Sequence, residues 1–458
     1  MRKKITSLLL AAAMVLGLTA CSSNDSTNDN TTTTANADTS AANADTTAEG
    51  GNESSDNNTS GESVTLKWAL WDKDSTAYWK AMADGYTSTH PNVTIEMVDL
   101  GSDSFMTALT TQLAGGNGEL DILSIKDIPG YANLINLEML EPMNNNLNRP
   151  ASDFGGVIDQ LTAADGNFYG VPIRSDFWVV YYNKDLFDQA GVPYPTNDMT
   201  FEEYDALCRQ MTSGSGAEKV YGGHYHTWRS TVSLFGILDG QHSIIDGTYD
   251  FLKPTYEMAL AQQNDGIVMD YGELKTSGLH YSAAFENGQC AMVNMGSWFI
   301  ATLQNYNAEA AANGVEPINF GIVKYPHPEG AAAGTTLGTV TSLGVNAYSE
   351  NKEAAVDFIN WCVSDEGAEI IAKTGTFPAV SNPDISNIIA STEGFPADDA
   401  SKEALNTSAV YLEMPLTDKA SEIETVLNAE HDAIMIGAES IDEGIANMNE
   451  QVQAILNG

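Results

Sequence analysis

Val64-Thr65-Leu66-Lys67-Trp68-Ala69-Leu70-Trp71 reads as a strand, and its alternation with the next segments of the chain decides the fold. Ser75 to His90 carries Tyr78, Met82 and Tyr86 at helical spacing and stops at His90-Pro91. Val93-Thr94-Ile95-Glu96-Met97-Val98 reads as a second strand. Phe105 to Leu113 reads as a helix closed by Gly115-Gly116, and Asp121-Ile122-Leu123-Ser124-Ile125 as a third strand. Strands alternating with helices predict a parallel sheet covered on both faces. In such sheets ligands bind beyond the carboxyl ends of the strands. Trp71-Asp72-Lys73, Asp99-Leu100-Gly101 and Ser124-Ile125-Lys126-Asp127 occupy those ends.

Upstream, Met1-Arg2-Lys3-Lys4 precedes an apolar run from Leu8 to Leu18 and then Thr19-Ala20-Cys21. A positive start, a short apolar core and small residues describe a secretory signal over 1–20. Leu18-Thr19-Ala20-Cys21 resembles the lipobox of bacterial lipoproteins, and that resemblance implies a lipid on Cys21. Residues 22–61 hold only Ser, Thr, Asn, Asp, Ala, Gly and Glu. Such a composition cannot bury enough apolar surface to offset the entropy of ordering. Residues 21–61 therefore read as a lipidated Cys followed by a disordered acidic linker. The expected location is the extracytoplasmic face of a membrane, reached through the N-terminal lipid alone.

The chain has 458 residues and a formal net charge of -42. Such a surface repels nucleic acid, and no nucleic-acid partner is expected. Besides Cys21, the cysteines are Cys208, Cys290 and Cys362. Their spacing fits no zinc motif, and they read as buried small apolar residues. His224 and His226 form a close pair without a neighbouring acidic or thiol ligand. No metal and no cofactor are expected.

A second α/β region begins near Val179-Val180-Tyr181-Tyr182. Thr200-Phe201-Glu202-Glu203 has the form of a capping box opening a helix through Met211. Asn319 to Val323 and Leu343-Gly344-Val345 read as strands, and Ser349 as the cap of a helix through Trp361. Asp418 to Leu456 is helical by periodicity.

Several segments together resemble the extracellular solute-binding proteins of carbohydrate ATP-binding-cassette transporters. They are Gly166-Asn167-Phe168-Tyr169-Gly170-Val171-Pro172, Tyr181-Tyr182-Asn183-Lys184-Asp185-Leu186-Phe187, and Phe285-Glu286-Asn287-Gly288-Gln289-Cys290-Ala291-Met292. Gly296-Ser297-Trp298 and Asn351-Lys352-Glu353-Ala354-Ala355-Val356-Asp357-Phe358 complete the set. The resemblance implies a periplasmic-binding-protein-like α/β fold, two lobes joined by hinge segments around a ligand cleft. By analogy lobe 1 takes 62–178 with 331–362, and lobe 2 takes 179–330 with 363–458. Crossings are placed near 175–180, 325–334 and 360–367. The implied partners are a carbohydrate and the permease subunits of an ABC importer, and the implied state is a monomer.

A sugar needs flat aromatic faces over its C–H surfaces and planar polar groups for its hydroxyls. Trp71, Asp72 and Lys73 stand at the first strand end, and Lys126 and Asp127 come directly after the third. Arg174, Asp176 and Trp178 stand at the first crossing. Tyr225 and Trp228 belong to an aromatic segment like one that lines the family's cleft, with one of the two expected in the core. Trp298 matches the family element whose Trp stacks on sugar. Gly338 and Thr339 fall where the family often has Gly-Gly beside ligand. The alternatives are a receptor for a non-sugar solute, a feeder of a sensor kinase, and a surface glycosidase. The last needs paired carboxylates across one bond, and the sequence carries no nucleophile elbow or zinc-protease helix. The anchor has its own test. Cys21→Ser is expected to release the protein into the medium or leave it unprocessed, as read by membrane fractionation and lipid labelling. A variant that stays lipid-labelled and membrane-bound would show that Cys21 is not the anchor.

Overall fold

The structure, a computed structural model, describes residues 63–102, 104–380 and 384–458. Cys21 and the segment 22–61 lie outside the described residues. The expected alternation opens the chain: β1 (Val64–Leu70), α1 (Ala77–Thr89), β2 (Val93–Asp99), α2 (Phe105–Leu113), β3 (Ile122–Ile125) and α3 (Ile128–Asn136). β1 pairs in parallel with both β2 and β3. α1 buries Tyr78, Trp79, Met82, Ala83 and Tyr86, one stripe at helical spacing. The Trp79 ring meets Trp68 and Trp71 edge-on, each at 5.1 Å. Its Nε1 donates to Trp71 O at 2.9 Å, and Trp68 Nε1 donates to Ser124 Oγ at 2.9 Å. Both buried indole N–H groups are thereby satisfied, as burial requires.

The sheet is not all parallel. β4 (Val171–Asn183) carries two ladders. Its first half is antiparallel to β7 (Thr335–Val345), which in turn is antiparallel to β3. Its second half, from Trp178, is antiparallel to β5 (Met292–Gly296) and β6 (Phe320–Lys324). β8 (Ala409–Leu412) lies parallel to β7. The direction of β7 has a simple cause. β4 leaves the first sheet and β7 returns to it, so the two must run in opposite senses. Parallel pairing is confined to strands fed by crossover connections. The ladders hand over between Phe177 and Trp178, within the segment expected at the first crossing.

Residues 376–379 also run along β4. Ser175 N donates to Phe377 O at 3.2 Å and Ala379 N to Ile173 O at 3.0 Å. The segment 360–367 joins the helices Lys352–Cys362 and Asp365–Ala372, both packed on α1. Thr200 and Glu203 form the expected capping box. Ser349 is not a cap: the helix starts after Asn351. The C-terminal stretch is two helices, Ala420–Met435 and Ile441–Asn457, split at Gly437 with φ 74° and restarted by a Ser440–Glu443 capping box. Apolar periodicity runs through the break, which is why the sequence reads as one stretch. Cys208, Cys290 and Cys362 are buried free thiols.

Asp121 ties the first sheet together. Its carboxylate accepts from Lys67 N at 2.8 Å, Ser349 Oγ at 2.5 Å and Asn351 Nδ2 at 3.1 Å, and the residue is 3% exposed. Asp121→Ala leaves three donors without this acceptor. It is expected to lower stability by about 1–3 kcal/mol, measured by urea denaturation. An unchanged midpoint would show that those donors find other partners.

Candidate ligand-binding cleft

Beyond β1, Asp72 adopts φ 48°, and its carbonyl accepts from Ser75 N and Thr76 N. A non-glycine residue in the left-handed region is uncommon and strained. This turn sets Trp71 with its ring 4.9 Å from Phe105 and the Lys126 ammonium 5.4 Å above it. Lys126 Nζ donates to Ser102 O at 2.7 Å and Ser102 Oγ at 2.8 Å. Asp127 caps α3, its Oδ1 accepting from Gly130 N at 2.7 Å. Burial pushes its carboxyl up, and the nearby Glu424 adds to this.

Along β4, Arg174 Nε meets Asp176 Oδ2 at 2.7 Å, and Arg174 Nη1 donates to Tyr78 Oη at 3.1 Å. Asp176 Oδ1 accepts from Ser297 Oγ at 2.7 Å. A continuous polar chain thus runs from α1 through β4 to the residue before Trp298. Gly296 is needed here: a Cβ would lie 2.0 Å from the Trp298 ring. Trp298 sits 5.7 Å from Trp178 and 6.3 Å from Trp228, and its Nε1 donates to Tyr281 Oη at 3.1 Å. Trp228 is 40% exposed, whereas Trp178 is buried and its Nε1 has no partner among the described residues. Gly338 admits β8: a Cβ there would lie 2.5 Å from Val410 Cγ1 and 3.0 Å from Asp176 O.

These groups enclose one cavity of about 780 Å³. Trp71, Asp72, Lys126, Asp127, Arg174, Trp178, Trp228, Trp298, Gly338 and Thr339 all line it. Lys73, Asp176 and Tyr225 do not. Lys73 N donates to Asp99 Oδ2 at 2.9 Å, Asp176 lies behind Arg174, and Tyr225 is 3% exposed with its ring 6.3 Å from Phe235. The sequence reading missed Tyr281, Arg229, Lys275, Glu413 and a group on the helix Ala420–Met435: Glu424, Asn428, His431 and Asp432. Arg229 Nη2 donates to Glu424 Oε2 at 2.8 Å, and Lys275 pairs with Asp432 at 2.9 Å. Burial pushes the Glu413 carboxyl up. The spacing of Glu424, Asn428, His431 and Asp432 on one face of that helix is the signal the sequence carries for them. Among the described residues, no group of His, Cys, Asp or Glu is placed to hold a metal ion, and no helix is long and apolar enough to cross a membrane.

Residues 72–369 match the sequence profile of the bacterial extracellular solute-binding proteins. The chain belongs to that family. Its curated relatives include the lactose-binding protein of Rhizobium radiobacter, 25% identical over 307 residues, which are 63% of this chain and 68% of the relative. The galactooligosaccharide-binding protein of Bacillus subtilis is 26% identical over 235 residues, 49% of this chain and 52% of that one. Among solved structures, a sugar transporter protein from Rhizobium etli in an open conformation is 49% identical with a TM-score of 0.73, covering 85% of this chain and 99% of that one. An ABC substrate-binding protein from Listeria monocytogenes, in complex with cycloalternan, shares the fold at 20% identity and TM-score 0.71, covering 86% and 98%.

Three buried histidines give this solute-binding protein a pH signature. Burial pushes His224 down to about 4 and His226 and His431 down to about 3. His280 adds to the first two effects and Arg229 to the third. Unfolded, each takes up a proton near 6.5. Between that value and the folded one the unfolded chain binds more protons, so this contribution to stability is lost as pH falls. The buried carboxyls of Asp127, Asp176 and Glu413, which burial pushes up, act in the opposite direction. The informative quantity is therefore a difference in slope. From about pH 7.5 down to about pH 5, the melting temperature of His226→Asn is expected to fall less than that of the parent. Equal slopes would show that His226 does not titrate between the two states.

Proposed function

We propose that this chain captures a sugar or oligosaccharide in the cleft and delivers it to the permease of an ABC importer. The observation that carries this reading is the chemistry of the cavity wall. Trp71 and Tyr78 come from the chain just beyond β1, whereas Trp178, Trp228, Tyr281 and Trp298 gather around β4 and β5, with charged and amide groups between them. Rings supply wide apolar platforms, and the interspersed Asp, Glu, Asn, Arg and Lys groups suit hydroxyls. The names of the lactose- and galactooligosaccharide-binding relatives support the same class.

In this proposal the ligand bonds to both lobes, and its higher affinity for the closed arrangement drives closure. The lobes turn about Phe177–Trp178 of β4 and the strand-like segment 376–379. The receptor works as a monomer held to the extracytoplasmic face by lipid on Cys21. No bond of the ligand is broken.

The test is a calorimetric and thermal-shift panel of neutral mono- and oligosaccharides, with product analysis after long incubation. Binding of one or more saccharides without turnover is expected. Trp298→Ala is expected to weaken that binding by about 1–3 kcal/mol while the melting temperature holds. No saccharide binding, or released reducing sugar, would overturn the reading. Unchanged affinity in Trp298→Ala would remove the platform role of that ring.

A further inference from the structure

One buried carboxylate touches Arg174 and the residue before Trp298 while lying outside the cavity that both Arg174 and Trp298 line. Arg174, Asp176 and Trp178 are spaced two apart along β4, so their side chains leave the strand on one face. Arg174 and Trp178 line the cavity. Asp176, between them, does not, and it is 1% exposed. Buried ion pairs are weak sources of stability, since the cost of desolvation offsets the attraction. The presence of a carboxylate here calls for another reason.

The first oxygen faces Arg174. Arg174 Nε lies 2.7 Å from Asp176 Oδ2, and neither atom makes an aligned hydrogen bond among the described residues. The contact therefore holds by charge. The other end of the guanidinium donates from Nη1 to Tyr78 Oη at 3.1 Å and sits 5.3 Å over the Tyr78 ring. A free Arg side chain has many rotamers. Held at both ends, this one keeps a single direction, with its side chain 12% exposed in the cavity wall.

The second oxygen faces the other ladder. Asp176 Oδ1 accepts from Ser297 Oγ at 2.7 Å, and Ser297 is fully buried. Ser297 N donates to Phe177 O at 2.8 Å, and Ser297 Oγ accepts from Phe177 N at 3.4 Å. The next residue is Trp298. Asp176 itself pairs with Thr339 of β7, whereas Ser297 follows β5, whose ladder to β4 begins at Trp178. The bond thus crosses the handover between the ladders. Both of its ends stand on paired backbone, the condition for holding a site precisely.

We propose that Asp176 is a positioning residue for ligand capture. Oδ2 aims Arg174 into the cavity, and Oδ1 sets the Ser297–Trp298 turn. One group outside the cavity thereby fixes ligand contacts on both sides of the handover. This rests on the saccharide reading of the cleft and adds a residue that acts on the ligand only through others.

The test is a pair of double-mutant cycles on the full protein, read by calorimetry with lactose, mannobiose and mannotriose. Asp176→Asn keeps an acceptor for Ser297 and removes the charge facing Arg174. It is expected to weaken binding about three- to tenfold in the parent and less than about twofold in Arg174→Ala. Ser297→Ala keeps the charge and removes the bond. It is expected to weaken binding about threefold in the parent and less than about twofold in Trp298→Ala. A merely structural role would lower affinity alike in both backgrounds. An effect of equal size in the two backgrounds would therefore overturn the role of the oxygen tested, and so would a variant that binds like the parent. Should Asp176→Asn not fold, the cycle of Ser297 with Trp298 decides the proposal. Either failure leaves the saccharide reading standing. A parent that binds none of the saccharides would overturn both.

Discussion

One strand has to satisfy two ladders, and the rest of the molecule is arranged around that constraint. β4 bonds β7 up to Phe177 and bonds β5 and β6 from Trp178 onward. The handover point carries the buried pair Arg174–Asp176, whose desolvation is costly unless hydrogen bonds satisfy its remaining atoms. Tyr78 of α1 and Ser297, just after β5, do this. The pair is thus a geometric joint more than a source of stability. Burial favours the neutral acid at Asp176, and Arg174 opposes that shift.

The cleft follows from strand direction. β1 and β3 are parallel neighbours, so Trp71, Lys126 and Asp127 emerge at the same end of the first sheet. β4 continues past that end, and β5 ends beside Trp178 at Gly296, two residues before Trp298. Rings from β4 and from just beyond β1 and β5 therefore face one volume. The glycines at 296 and 338 mark where backbone or side chain comes too close for a Cβ.

What was legible in the sequence was whatever depends on local pattern. The first strands and helices show in alternation, the Thr200 box in its spacing, and the cleft edge in the rule about strand ends. Trp71, Asp72, Lys126 and Asp127 lie at such ends and line one cavity, and Lys73 beside them does not. Illegible were features set by distant partners. Ser349 has cap composition, but its hydroxyl donates to Asp121 and accepts from Asn351 N, and the helix starts only at Lys352. Tyr225 and Trp228 are both aromatic residues of one loop, and only packing against Phe235 decides which is core. Asp176 and Arg174 look equivalent as a charged pair, yet only the guanidinium reaches the cavity. The polar face of Ala420–Met435 was written in the sequence at regular spacing. Its meaning came only from the fold, which brings a segment some 250 residues downstream of Trp178 to the same wall.

That helix also separates the demands of the core from those of the cavity wall. Ile423, Leu427 and Ile434 anchor one face in the core, while Asn428 on the other face makes a small, exposed contribution to the cavity wall. The core and the cavity wall thus draw on different side chains of one element. A lineage could exchange Asn428 for another polar residue at little cost to stability, since exposed positions away from buried contacts tolerate substitution. Arg229 and Glu424 lack that freedom, because Arg229 is buried and replacing Glu424 would leave its charge without a partner. The cavity wall can thereby change at Asn428 while the buried Arg229 and its partner Glu424 stay in place beside it.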